Sequence, residues 1–424
     1  VTARGAVEDA LARLREAGAE LRAGSLAEVH RALGDVLDAW RAPGSPWQAE
    51  LVSRLPASTG FTPETVRRGL ALGLAPYGGD ALRELVRREL GGPEGLDPAS
   101  GAHWAGFATT AAVLGGAIPL PTVVSIVAPL AIGSPVLVKP AAHDPVTAPL
   151  LARALAERMP ALGACVEVVD FRRDDEEALA ALCGADCVVA TGSDAAVAAL
   201  AARVAEPRRF VGHGHRYSVA LLGALDDGHA LLRAARGLAL DVALWDQLGC
   251  LSPVVVYVLG ERGVAERVAD ALASALAALE HRMPRGAVAP AAAAAIARER
   301  ARAEMRAAAG APVTVRAGTG TSWTVVCEPG PAQRPAPRHR FVRVQWVDAG
   351  VLDALRGEPL AAVALEAAPP TRRTLAGALA AAGASRVCAP GRLQTPPLAW
   401  PRDGLGVLTS LARRIACELD GAPP

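Results

Sequence analysis

Cys250 is the residue whose surroundings most suggest chemistry. It lies in the stretch Asp241 to Tyr257, D-V-A-L-W-D-Q-L-G-C-L-S-P-V-V-V-Y. Upstream, Val242, Trp245 and Leu248 recur at helical spacing and Gly249 stops a helix; downstream, Pro253 opens a run of Val254, Val255, Val256 and Tyr257 that reads as a buried strand. The cysteine is therefore expected at a helix-to-strand turn. Such a turn can present a thiol while its own backbone N–H points at whatever the sulfur attacks, the arrangement an acyl-transfer oxyanion hole requires. The blander reading is a buried small hydrophobe, the commonest fate of a free cysteine, and local pattern alone leaves both open. The seven cysteines, at positions 165, 183, 187, 250, 327, 388 and 417, form no CxxC pair and no Cys/His metal spacing. Their odd number argues against a complete disulfide framework, so a reducing, cytoplasmic setting without structural zinc is expected.

The elements that must position such a residue change character along the chain. Residues 1 to 100 read as a helical region: Val7, Leu11, Leu14 and Leu21 share a stripe interrupted by Gly18, Ser25 and Glu28 form a capping box, and Thr62 with Pro63 starts a further helix. The first residues enter this pattern directly, so no signal peptide is expected. From about 101, strands and helices alternate, the signature of a mostly parallel sheet. Pro135 to Lys139 is a strand, and Asp144 with Pro145 supplies an N-cap and N1 for the next helix. Val166 to Asp170 is a strand followed by Arg172 and Arg173; Cys187 to Ala190 is another, followed by Thr191, Gly192, Ser193 and Asp194. No GxGxxG follows any of them, so the common dinucleotide fingerprint is missing. F-V-G-H-G-H-R-Y-S, from Phe210 to Ser218, places His213 in a glycine turn. Ala287 to Ala309 is a long Ala/Arg/Glu helix, and Trp323 to Glu328 is a strand ending in an acid.

With 424 residues the chain has room for two or three domains. Charge is balanced, 44 Lys+Arg against 43 Asp+Glu, and no basic stripe interleaved with aromatics occurs, so nucleic acid is not an expected partner. Trp104 to Val138 holds no charged residue, a run longer than the roughly 20 residues of a membrane helix. Gly115, Gly116, Pro119, Pro121, Pro129, Gly133 and Pro135 interrupt it, however. The preferred reading is a buried α/β core segment, since parallel strands covered on both faces are continuously apolar.

W-D-Q-L-G-C-L-S-P, with Asp241 four residues before the Trp, resembles the active-site segment of the LuxC-type acyl-CoA reductases. That family belongs to the aldehyde dehydrogenase superfamily and reduces fatty acyl thioesters to aldehydes with NADPH. The resemblance covers about residues 60 to 424 and is most specific in Pro135 to Pro145, Asp241 to Pro253 and Gly391 to Gly404. It implies an α/β, aldehyde dehydrogenase-like fold with a Rossmann-type cofactor domain and an α/β catalytic domain. Residues 1–100 would form an N-terminal helical region, 101–245 bind NADPH, 246–390 carry the nucleophile, and 391–424 close the site or the subunit interface.

The same resemblance implies roles. Cys250 becomes the nucleophile. V-L-V-K-P is similar to a superfamily strand whose Lys reaches the adenosine ribose, which assigns Lys139. T-G-S-D is similar to a Thr-Gly-Ser beside the pyrophosphate, which assigns Gly192 and Ser193, at a helix start where free N–H groups favour an anion. Arg172 and Arg173 stand where a 2′-phosphate could be met, unless they are ordinary surface charges. W-T-V-V-C-E is similar to a segment at whose comparable point a Glu holds the nicotinamide ribose, which assigns Glu328. Matching Ser218 to the serine that ends the glycine motif puts His213 where aldehyde-oxidising relatives carry a general-base Glu. That suits a proton donor to the nascent aldehyde oxygen, with a structural histidine the equal alternative. One departure stands out: before Ile118-Pro119 the family has Gly-Asn, whose amide helps bind the oxyanion, and this chain has Gly116-Ala117.

The expected activity is NADPH-dependent reduction of an acyl-CoA to an aldehyde through a thioacyl-cysteine. A carrier-protein thioester is the alternative substrate, and a degenerate acyl-binding subunit is the non-enzymatic alternative, with Ala117 its argument. An acyl-transferring partner enzyme and a homo-oligomer are the expected partners.

Overall fold

The structure, a computed structural model, describes residues 2–97, 102–223, 227–332 and 334–416; Cys417 lies outside the described residues. Five helices come first: α1 (Ala3–Ala23), α2 (Leu26–Arg41), α3 (Pro46–Thr59), α4 (Pro63–Leu74) and α5 (Gly79–Leu90). The next stretch holds β1 (Ala102–Gly106), β2 (Thr110–Val113), α6 (Leu120–Ala131), β3 (Val136–Lys139), α7 (Thr147–Arg158), α8 (Pro160–Gly163), β4 (Val166–Val168), α9 (Glu176–Leu182), β5 (Cys187–Thr191), α10 (Asp194–Ala201) and β6 (Arg209–His213). After it come β7 (Tyr217–Leu222), α11 (Gly228–Ala243), β8 (Pro253–Leu259), α12 (Arg262–Glu280), α13 (Pro290–Ala308), β9 (Thr314–Ala317), β10 (Thr324–Pro329) and β11 (Phe341–Val347). The chain closes with α14 (Val351–Ala354), β12 (Leu360–Glu366), α15 (Pro369–Ala381), β13 (Val387–Cys388) and β14 (Ala412–Ala416).

These elements gather into two compact units. The first holds Val1–Arg54, Gly73–His215 and Pro397–Pro424; the second holds Leu55–Leu72 and Arg216–Pro396. The expected boundary at 245/246 is thus corrected to 215/216, because β7 pairs with β8 and β12 and so belongs to the sheet that follows it. The expected helical region and C-terminal segment are also divided, each supplying residues to both units.

The first unit carries a parallel sheet in the order β4-β3-β2-β5-β6. The chain enters at the centre with β2, runs outward through β3 and β4, then crosses to β5 and β6 on the other side. That is the doubly wound arrangement, whose binding crevice lies at the carboxyl ends of the strands where the direction of winding switches, here between β2 and β5. The stripe on α1 packs Val7, Leu11 and Leu14 against Ala111, Leu137 and Val188 of this sheet. Gly18, which reads as an interruption of the stripe, is a close approach instead: a β-carbon there would stand 2.6 Å from Pro135 Cγ. The uncharged run from Trp104 to Val138 becomes β1, β2, α6 and β3, with Ala111, Val123, Ile126, Leu130 and Leu137 buried. Among the described residues no helix is long and apolar enough to cross a membrane. α7 starts later than expected, with Val146 as its N-cap and Thr147 its first residue, so Asp144 is not the N-cap and Pro145 not N1; the Asp144 Oδ1 instead holds the approach to the helix, accepting from the N–H groups of Val146 (3.3 Å) and Thr147 (3.0 Å) and from the Thr147 hydroxyl (2.8 Å).

The second unit carries a seven-stranded sheet, β13-β12-β7-β8-β11-β10-β9, parallel except where β9 runs against β10. β8 lies in its interior between β7 and β11, and Val255, Tyr257 and Val347 join Val219, Leu221 and Val363 in the buried core. Cys250 therefore precedes the entry of a central strand.

Candidate active site

The turn that delivers Cys250 departs from the helix its spacing suggests. α11 ends at Ala243, and Trp245, Asp246 and Gln247 all take left-handed backbone conformations, with φ of 53°, 48° and 62°. For residues with a β-carbon each such conformation costs about 1–3 kcal/mol and persists only where the surroundings impose it. Here they do, through all three side chains. The Trp245 indole is buried, tilted against Phe61 at 5.5 Å between centroids, in a place that only a glycine at 69 leaves open because a β-carbon there would overlap the ring. Asp246 is held by Arg340 from Nε (3.0 Å) and Nη2 (2.7 Å) and accepts from the Gly286 N–H (2.9 Å). Gln247 accepts from the Phe341 N–H (2.8 Å) and donates to the carbonyls of Phe341 (2.9 Å) and Pro253 (2.8 Å).

The segment leading into β11 carries a matching distortion. Arg338, His339 and Arg340 are left-handed as well, with φ of 63°, 55° and 67°. Two consecutive-residue kinks thus lock onto each other through Asp246–Arg340 and Gln247–Phe341, and the chain leaves the lock at Leu248 to present Cys250. Burial pushes the Asp246 carboxyl upward from its ordinary range while the Arg340 guanidinium pulls it back.

Cys250 itself is half-buried, and its carbonyl accepts a hydrogen bond from the Ser218 hydroxyl at 2.8 Å. Cys165, Cys183, Cys187 and Cys327 are buried. Burial pushes their thiols up, to about 11 for Cys165 and about 12 for Cys187 and Cys327. Half-buried Cys388 is pushed to about 11 in the same way. Those five are poor thiolates at neutral pH. Behind the Cys250 turn, Asp241 is completely buried and accepts from the N–H groups of Gly391 (2.6 Å) and Leu393 (3.1 Å). Gln394 donates to the Asp241 carbonyl (3.2 Å) and to Ser252 Oγ (2.9 Å). The first part of the C-terminal block thereby braces the segment on both sides of Cys250.

In the first unit the sequence-assigned cofactor residues gather at the carboxyl edge of the parallel sheet. Lys139 ends β3, Thr191 ends β5, Ser193 caps α10 by accepting from the Ala196 N–H at 3.3 Å, and His213 ends β6. Lys139 Nζ lies 5.1 Å from the centroid of the Phe171 ring, which lends it a cation–π partner. At the switch point the backbone approaches closely: a β-carbon on Gly115 would stand 2.6 Å from the Thr191 carbonyl. Thr191 Oγ1 is buried there with no hydrogen-bond partner. A glycine cradle beside an orphaned hydroxyl at a doubly wound switch point fits a dinucleotide. The Gly192 N–H donates to the His213 carbonyl at 3.2 Å, so this glycine's contribution to such a ligand is its missing side chain rather than its amide.

Arg172 and Arg173 are exposed beyond β4, and Arg172 is bidentate on Asp174 at 3.0 and 2.8 Å. Glu328 requires a correction. Its side chain has no exposure at all, and its oxygens accept from Arg306 (2.6 Å), Arg343 (3.1 Å) and Gln345 (3.2 Å), with Arg334 Nε at 3.4 Å. It is the hub of a buried ion network in the second unit, which leaves no carboxylate oxygen for a ribose. Its strand-end position could not reveal this, because the arginines arrive from α13 and β11.

His213 acquires a partner that sequence reading missed. Its Nδ1 lies 2.7 Å from Asp403 Oδ2, and the two side chains are 12% and 7% exposed. Asp403 is itself left-handed, with φ 56° and ψ 24°. The W-P-R-D-G stretch was legible as a block, but its acid is 190 residues from His213 in the chain. Among the described residues no cluster of His, Cys, Asp and Glu could hold a metal ion.

Comparison with known proteins yields concordant findings. The family model described as acyl-CoA reductase (LuxC) matches residues 23–414. No curated protein sequence matches. Among solved structures, an NAD-dependent benzaldehyde dehydrogenase from Corynebacterium glutamicum is similar over 97% of this chain and 89% of its own, at 16% identity and a TM-score of 0.72. A methylmalonate-semialdehyde dehydrogenase from Oceanimonas doudoroffii is similar over 98% and 90%, at 15% identity and a TM-score of 0.74. A putative methylmalonate-semialdehyde dehydrogenase from Sinorhizobium meliloti 1021, complexed with NAD, covers 96% and 88% at 14% identity and a TM-score of 0.73. At these identities the likeness concerns the fold, which is aldehyde dehydrogenase-like.

Proposed function

The chain belongs to the LuxC family of acyl-CoA reductases, and from that premise we propose that it reduces an acyl thioester to an aldehyde with NADPH, through a thioacyl intermediate on Cys250. The observation that carries this reading is the nucleophile turn. Six left-handed residues and a buried ion pair are maintained around one half-buried cysteine, while burial pushes the thiols of the other described cysteines up. Strain held in place at this density is characteristic of a functional site.

In this reading Cys250 attacks the thioester carbonyl and the thiol leaves, CoA first and a carrier-protein thiol as the alternative. The nicotinamide, when bound, supplies the hydride. Lys139 and Ser193 would hold the dinucleotide at the sheet edge, Gly192 would give it room, and Arg172 and Arg173 would meet the 2′-phosphate that distinguishes NADPH from NADH. His213 exchanges the proton at the carbonyl oxygen. Having no carboxylate at that position suits an acyl group destined for hydride rather than for water. Ala117 offers no side-chain amide to the oxyanion, which leaves the Cys250 backbone N–H as the assigned donor. One missing donor typically costs about a hundred- to a thousandfold in rate, so turnover is expected to be slow.

The test measures NADPH oxidation with acyl-CoAs from short to long chain and with the same acyl groups on a carrier protein. In parallel, mass spectrometry is run on the protein exposed to the thioester alone. Slow turnover and a thioacyl adduct on Cys250, both abolished by Cys250→Ala with NADPH binding intact, are expected. An adduct on another cysteine, or turnover by the alanine variant, overturns the mechanism.

A further inference from the structure

We infer that the second unit holds a binding site for an amphiphilic anion, an apolar chain ending in a carboxylate or a phosphate, in the cavity bordered by α4, α11 and α12. The cavity measures about 710 Å³, inside the range of roughly 300–1,000 Å³ usual for small-molecule sites. Every residue that lines it belongs to this unit. Leu232 and Leu240 of α11 form one apolar wall, and Leu279 of α12 with Met283 beyond the helix end forms another. Between them Ala271, Ala275 and Ala278 follow one another at helical spacing, so α12 offers a track of small side chains about 10 Å long in which a chain can lie. Leu232 is 45% exposed. A lone exposed leucine needs no explanation, but one continuous with an apolar cavity is surface that a ligand would cover.

The charged part of the lining selects an anion. Arg68 of α4, Arg236 of α11 and Arg282 after α12 border the cavity, and Glu64 of α4 is the one carboxylate among them. Among the described residues none of these three guanidinium groups has an ion pair or a side-chain hydrogen bond, and Glu64, one helical turn before Arg68, is not paired with it. Other arginines of this unit are met by carboxylates: Arg316 by Glu266 and Asp270, Arg340 by Asp246 and Glu280, Arg343 by Glu299 and Glu328. Cations brought together from three elements thus leave positive charge in excess beside an apolar wall. The guanidinium fork matches the oxygens of a carboxylate or phosphate with paired hydrogen bonds. A purely apolar ligand would leave the arginines unused, and a small inorganic anion would leave Leu232 and the alanine track uncovered. A chain with an anionic head uses the whole lining.

This ligand differs from the thioester proposed for Cys250, whose reacting carbonyl is neutral, and its binding involves no covalent step. The cavity lies on elements that also hold the Cys250 turn. Arg68 precedes Gly69, whose missing β-carbon admits the Trp245 indole, and Leu240 precedes Asp241, which braces the segment from behind. A bound chain bridges α4, α11 and α12 and, as a ligand of the folded state alone, raises Tm with its concentration.

The experiment titrates the full chain in a calorimeter with octanoate, octyl phosphate, octanol and inorganic phosphate, each below its micelle concentration. Expected are saturable binding of octanoate or octyl phosphate and binding of octanol and of inorganic phosphate that is weaker by about a hundredfold. The head group bound more tightly names the source, a free fatty acid or a phosphate monoester. Arg236→Gln and Arg282→Gln should each weaken the anion about tenfold, with Tm of the unliganded protein almost unchanged because exposed arginines carry little stability. Ala275→Phe, which blocks the track, should abolish binding of the chain. Octanol bound as tightly as the anions, inorganic phosphate bound as tightly as octyl phosphate, unchanged affinity in the arginine variants, or no binding of any probe overturns the inference. Should a variant fail to fold, wild type decides: affinity for the anion that does not fall between about 0.01 and 1 M ionic strength overturns it. The titration needs no turnover, so its failure leaves the reductase reading standing.

Discussion

Around Cys250, Trp245 to Gln247 and Arg338 to Arg340 sit in backbone conformations that side chains dislike, and each distortion is held by a buried partner. At the carboxyl edge of the first unit's sheet the strands end in ordinary conformations, glycine provides the close approach, and the assigned contact residues Lys139, Arg172 and Arg173 reach outward from the strand ends. Under the proposed function the two regions would answer two chemical demands. A covalent nucleophile must be placed to a fraction of an ångström, since small misplacement is expensive in rate. A dinucleotide spreads its binding over many weak contacts, so its edge needs room and charge more than rigidity.

That contrast can be broken by mutation, and the largest effect is expected at the lock. Asp246→Ala leaves Arg340, 1% exposed, with one carboxylate fewer in a buried site. Breaking such a pair costs about 3–5 kcal/mol. Denaturant unfolding should show a loss of that order, with the yield of Cys250 adduct falling alongside. A loss under about 1 kcal/mol would mean that the left-handed turn does not depend on its ion pair.

A pH effect should follow at the brace behind the turn. Burial raises the Asp241 carboxyl from its ordinary 3.8 to about 7, against the backbone donors of Gly391, Leu393 and Gln394 that favour the ionised form. A folded-state value above the unfolded one means that its contribution to stability is full below about 4 and is lost as pH climbs toward 7. Asp241→Asn should flatten that part of the stability profile, as read by Tm between pH 4 and 8. A wild-type profile that rises over the same interval would show that the Gly391 and Leu393 N–H groups outweigh burial.

The smallest effects belong to the strand edge, and they should appear in binding rather than in stability. Lys139→Ala is expected to weaken NADPH about tenfold, equivalent to one hydrogen-bonded charge. Arg173→Ala should weaken NADPH a few-fold more than NADH, with Tm almost unchanged because an exposed arginine carries little stability. Titration of both cofactors against both variants checks this. Equal losses for NADPH and NADH would place 2′-phosphate recognition elsewhere.

Much of the fold was legible before any coordinate. Alternating apolar strands and helices announced a parallel sheet, and the glycines and prolines of Trp104 to Val138 separate β2, α6 and β3, although they do not mark the break between β1 and β2 and Pro129 lies inside α6. Buried stripes such as Val7, Leu11 and Leu14 leave a periodic trace because burial acts on every residue of a face. The break in the helix before Cys250 left no such trace. Val242, Trp245 and Leu248 keep helical spacing, yet the backbone reverses its handedness between them because Gly69, Arg340 and Phe341 hold the side chains elsewhere.

What the sequence by itself determined is therefore local: which segments are strands and helices, that Cys250 stands at a turn before a strand, and which family the motifs belong to. What only the tertiary structure decided is pairing at a distance. Asp403 found His213 across 190 residues, Arg340 found Asp246 across 94, and Glu328 was claimed by arginines of α13 and β11 instead of facing a ligand. The physical reason is that hydrogen bonds and ion pairs act over a few ångströms of space, and a linear pattern records only the separations that one helix or strand makes regular.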